Sequence, residues 1–152
     1  MLSRLTGKNR GFTLIEMVIV MAIIAILIAI IVPQVMKQIN RARATSDASS
    51  AKQIATALLQ AIADGYVIPS TSNATALASV NLTPPGGGSA ESAQDVVKKY
   101  LGDNFSFKTR LSNQDYYLKF TPSDEKIEIY TKTSDGNTEV MLYPTPDYAR
   151  YK

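Results

Sequence analysis

Sixteen consecutive apolar residues, Met17 to Val32, follow directly on a carboxylate, Glu16. A helix carrying such a run is apolar on every side, so it must end in lipid or among other apolar helices. The charge at its head tightens the constraint. A carboxylate in hydrocarbon costs roughly 2.5–3.5 kcal/mol on insertion scales. Glu16 therefore needs a partner or a task.

From Phe12 to Val32 the segment would be about 31 Å long as a helix, enough to span a bilayer. A removable secretory signal has a shorter apolar region and a small-residue cleavage site after it. Here Val32-Pro33-Gln34-Val35 follows instead, which favours an anchor. Arg4, Lys8 and Arg10 precede the span while Lys37, Arg41 and Arg43 follow it, so the positive-inside rule is nearly tied. The short N-terminal tail is the easier side to retain, and an N-in orientation is expected.

Charge and composition exclude much else. With Arg4, Lys8 and Arg10 set aside, 13 of the 16 Lys and Arg remain against 13 Asp and Glu, so no basic footprint for nucleic acid is left. The chain has no Cys and no His, which removes disulfides, thiolate chemistry and Ser-His-Asp triads. Asp124-Glu125 is the only adjacent acidic pair, and it falls in a turn signal. No catalytic constellation, metal set or cofactor motif is present.

Gly11-Phe12-Thr13-Leu14-Ile15-Glu16, after a basic leader and before an apolar helix, resembles the class III signal of type IV pilins and pseudopilins. Pro33 stands where that family commonly has a helix-bending proline. The resemblance implies that residues 1–11 are a leader removed by a prepilin peptidase, which cuts between Gly11 and Phe12 and methylates the new amine of Phe12. It also implies that Glu16 pairs with the terminal amine of a neighbouring subunit, keying the stagger of a helical homo-oligomeric filament built by an assembly platform and ATPase. The prepilin would sit in the cytoplasmic membrane and the mature subunit at the cell surface. A pseudopilin of a secretion or DNA-uptake machine is the alternative within the family, and a signal-anchored monomeric binding domain the alternative outside it. Whether the filament serves motility, adhesion or another role stays open. Glycine before the cut suits close approach of a protease to the backbone. Pro33 removes one helical hydrogen bond, so the helix should bend or loosen near Ala29 to Val32.

Beyond residue 33 an amphipathic half follows over 34–64, with a stripe at Ile39, Ala42, Ala48, Ala51, Ile54, Ala55, Leu58 and Ile62. The stripe thins to small residues at Ser46-Asp47-Ala48-Ser49-Ser50, and Gly65 marks the stop. One long helix from Phe12 to about Asp64 is expected. Residues 65–102 are expected to form an exposed Ser/Thr/Pro/Gly-rich loop and a short helix starting at Ser92. Over 103–152, period-two alternation predicts three or four strands, with Phe105-Phe107 as the first and turns at Pro122–Glu125 and Ser134–Asn137. Helix followed by antiparallel sheet gives an α+β, pilin-like fold. Asp135, Asn137 and Glu139 alternate oxygens as a calcium loop does, but a plain turn explains them. Triplets at Asn73, Asn81 and Asn104 match the glycosylation pattern. The aromatic tail from Tyr143 is expected to cover the sheet edge.

Overall fold

The computed structural model describes residues 11–151. Arg4, Lys8 and Arg10 of the expected leader, and Lys152, lie outside that range. Two compact units divide the chain near Ile39, and a single helix, α1 (Leu14–Ala63), contributes to both.

In the first unit every side chain from Gly11 to Ile39 is exposed. This part of α1 is long and apolar enough to cross a membrane, and none of its apolar window is buried. The helix runs on through Pro33, with Ala29 to Val32 helical, so the expected loosening does not interrupt the secondary structure. A proline removes one hydrogen bond, and the neighbouring turns continue the ladder around it.

The second unit is an α+β headgroup. Ala44, Ala48, Ala51, Ile54, Ala55, Ala57, Leu58 and Ala61 of α1 are buried. Six of these eight are alanines, so the buried face of the helix is made mostly of small side chains. The stripe is therefore shifted from the sequence expectation: Ile39 and Ala42 are exposed, Ile62 is partly buried, and Ala44 and Ala61 join the core. The helix stops where expected. Gly65, at φ +95°, sends its N–H to Ile62 O at 3.0 Å, and Tyr66 N–H reaches Ala61 O at 2.9 Å, closing the orphan carbonyls.

The main sheet is antiparallel, in the order β1 (Thr75–Ala76), β4 (Tyr117–Thr121), β5 (Lys126–Lys132), β6 (Glu139–Tyr143). Leu118 opposes Ile129 and Phe120 opposes Ile127, and all four face the core with Val140 and Leu142. A smaller pair joins β2 (Asn81–Leu82) to β3 (Glu91–Ser92) ahead of α2 (Ala93–Leu101). Ser92 caps α2, its hydroxyl accepting the Asp95 N–H at 3.1 Å.

Three expectations need correction. Residues 105–107 are not a strand: Phe105 and Phe107 stack edge to face at 5.1 Å, and the edge position beside β4 is taken by Thr75 and Ala76. The 65–92 region is not a wholly exposed loop, because Ile68, Leu77, Val80 and Leu82 enter the core. Apolar residues spaced thinly among Ser, Thr and Asn concealed that. The tail does more than cover an edge. Asp147 N–H bonds Met141 O of β6 at 2.9 Å, but Tyr151 then drops into the core at 3% exposure. Both expected hairpin turns are present; in the second, Asp135 accepts from the Thr133 hydroxyl and the Asn137 N–H.

Candidate functional site

The start of α1 brings together the residues on which the N-terminal motif turns. Gly11, Phe12 and Thr13 precede the helix in non-helical backbone. Nothing lies within 4 Å of where a Gly11 Cβ would be, and Phe12 is 80% exposed. The Gly11–Phe12 peptide is thus open, unpacked and one residue clear of the helical ladder.

Thr13 is the residue before the first helical turn, and Glu16 is the third residue within it. The Glu16 Oε2 accepts the Thr13 N–H at 2.8 Å and the Thr13 hydroxyl at 2.9 Å. In return the Glu16 N–H donates to the Thr13 Oγ1 at 3.3 Å. This reciprocal pair satisfies two of the orphan donors at the helix start, and a carboxylate there also meets the positive end of the helix dipole. Within one chain, then, Glu16 already has a partner. Its carboxylate is held beside the backbone that leads to Phe12, so this charge lies next to the Gly11–Phe12 peptide. Pro33 lies several turns further along the same helix and does not join this cluster.

Thr13, to which the sequence analysis assigns no role, is the residue that Glu16 bonds. The signal was present: Thr-x-x-Glu directly before an apolar run is a helix-start signature.

A second carboxylate was missed entirely. Asp47, on the headgroup half of α1, is 1% exposed. Its carboxylate accepts the Arg110 N–H at 2.7 Å, the Leu111 N–H at 3.0 Å and the Tyr151 hydroxyl at 2.7 Å. Burial, helped by the bond to Asp47, pushes the Tyr151 phenol up to about 12. Burial, then the Asp47 charge, pushes the Tyr116 phenol up as well. Three donors offset the desolvation of a buried carboxylate.

Residues 6–32 match the family model described as the prokaryotic N-terminal methylation motif. The match supports a class III signal peptide of the type IV pilin kind at the head of the chain. The motif implies prepilin peptidase processing, with pilus assembly as the general kind of partner. The apolar helix behind it fits a membrane-anchored precursor. No curated protein and no solved structure matches the chain.

Proposed function

We propose that the protein is a structural subunit of a type IV pilus-like filament. Prepilin peptidase would cleave between Gly11 and Phe12 and methylate the Phe12 amine, and the apolar part of α1 would then pack with copies of itself. One observation carries this reading: a methylation motif heads a helix whose apolar side chains are exposed on every side through Ile39. Such a surface is stable only in lipid or in a bundle of like helices.

In that bundle the new amine of Phe12 is a cation entering hydrocarbon. Glu16 is the nearest acid on the chain, and leaving Thr13 to meet a neighbour's amine exchanges neutral donors for a charged one. The exchange favours one stagger of subunits over others, so Glu16 specifies register more than it stabilises the monomer. Pro33 supplies a place where the helix can loosen on assembly, since one hydrogen bond is already missing there.

Intact-mass analysis of sheared filaments tests the proposal. Chains beginning at N-methyl-Phe12 are expected. Filaments retaining residues 1–11, or cells that cleave the chain but assemble none of it, would overturn it. Gly11→Val is expected to leave uncut precursor in the membrane.

A further inference from the structure

A groove of about 310 Å³ lies between α1 and the irregular segment 104–110 of the headgroup. One wall is Ser46, Ser49, Ser50 and Gln53, spaced as one face of a helix. The other is Asn104, Ser106, Lys108 and Arg110 of the irregular segment, while Thr109 is buried behind them. A helix face and an irregular segment thus line one concavity with hydroxyls, amides and cations. Phe105 adds an apolar edge, braced by its stacking on Phe107.

The walls are fixed in place. Asp47 forms part of the lining and holds the backbone of Arg110 and Leu111 from beneath. The turn behind them is tied by Thr109 Oγ1 to Ser112 Oγ at 2.8 Å, and by the Gln114 N–H to Thr109 Oγ1 at 3.0 Å. Preorganisation of this kind lowers the ordering cost of binding. The charges are unevenly used. Lys108 is bridged to Asp115 at 3.2 Å, and the Asp47 oxygens are taken by their three donors. Among the described residues Arg110 has no carboxylate within salt-bridge distance.

We propose that this groove binds a single sugar residue carrying a carboxylate, of the uronic acid class. Its volume sits at the small end of the roughly 300–1,000 Å³ typical of ligand pockets, which suits one hexose. The serine and amide side chains match ring hydroxyls in both donor and acceptor roles. Phe105 offers a surface for the apolar face of the ring, and Arg110 offers a two-pronged donor for the carboxylate.

Saturation-transfer NMR on the full chain, in polyoxyethylene ether micelles that carry no sugar, tests this with sodium glucuronate, glucose and acetate as probes. Glucuronate is expected to bind about tenfold more tightly than glucose or acetate, the range of one charge-assisted contact. Arg110→Gln should abolish that preference, and Ser49→Leu, which fills the groove from the helix wall, should remove binding of both sugars. Lys52→Gln, outside the groove, should change nothing. Near-ultraviolet circular dichroism establishes that each variant keeps its fold. No transfer to glucuronate, equal transfer to glucose or acetate, or unchanged binding in both groove variants would overturn the proposal.

Discussion

Two carboxylates on one helix show how differently its two halves are finished. Glu16 is exposed and bonded within its own turn, to Thr13. Asp47 is buried and bonded to groups 63, 64 and 104 positions away in the chain. Around Glu16 the side chains are large, apolar and exposed, as with Ile15 and Met17. Around Asp47 they are small, with Ala44, Ala48 and Ala51 buried and Ser46, Ser49 and Ser50 at least partly open. The headgroup is complete within one chain: its core is closed and no buried side-chain polar atom among the described residues lacks a partner. The apolar segment is complete only as a helix. Its secondary structure is satisfied internally while its surface is not, and that separates a folding unit from an assembling one.

The sharpest way to break this contrast is at Glu16. Glu16→Ala removes both the helix cap and the charge, and filament yield is expected to fall nearly to zero while cleaved protein accumulates in the membrane. Glu16→Gln separates the two roles, because glutamine also serves at the third position of a helix-start pair. If charge pairing governs assembly, Gln fails almost as badly as Ala; normal yields of sheared fibres from Glu16→Gln would reduce Glu16 to a cap. Headgroup unfolding should be the same in both.

Asp47→Ala should do the reverse, leaving insertion and cleavage intact. It strands two backbone N–H groups and a buried hydroxyl, so a loss of about 3–5 kcal/mol in headgroup stability is expected. Urea unfolding followed by tyrosine circular dichroism measures it, and a loss under about 1 kcal/mol would mean water replaces the carboxylate easily.

Tyr151→Phe removes one donor to that carboxylate, with an expected cost of about 1.5–3 kcal/mol. It also carries a pH signature. The Tyr151 pKa is raised in the folded state to about 12, so the unfolded chain loses this proton first. The contribution is fully present below the ordinary tyrosine pKa and is lost as pH rises toward about 12. Tyr151→Phe should flatten part of that alkaline decline, the rest belonging to Tyr116 and the other raised phenols. An unchanged alkaline slope would show that Tyr151 does not report on the Asp47 cluster.

The smallest effect is expected at the end of α1. Gly65→Ala forces a Cβ into the left-handed region and to 3.2 Å from the Pro85 Cβ, for a loss of about 1 kcal/mol by urea unfolding. A neutral result would mean that the loop at Pro85 shifts freely.

What could be read in advance follows from how far each signal reaches along the chain. The apolar run, the Gly65 stop, the Ser92 cap and the two hairpin turns are local, and the fold places all of them as expected. Strand β1 has two residues, too few to show a period, and exists because β4 had an edge to fill. Asp47 looked like one more small polar residue among Ser46, Ser49 and Ser50, since none of its donors is near it in sequence. At the helix start the Thr13–Glu16 pairing is itself local, a hydroxyl and a carboxylate three residues apart.

The distance from Asp47 to its last donor has a consequence in time. Tyr151 follows Asp47 by 104 residues, so at about 5–20 residues per second the ribosome needs roughly 5–20 s to supply it. Throughout that interval the apolar helix is already available to the translocation machinery, while the headgroup holds a carboxylate it cannot yet bury. Membrane insertion can therefore run ahead of headgroup closure. A chain that ends before Tyr151 leaves Asp47 without its hydroxyl donor.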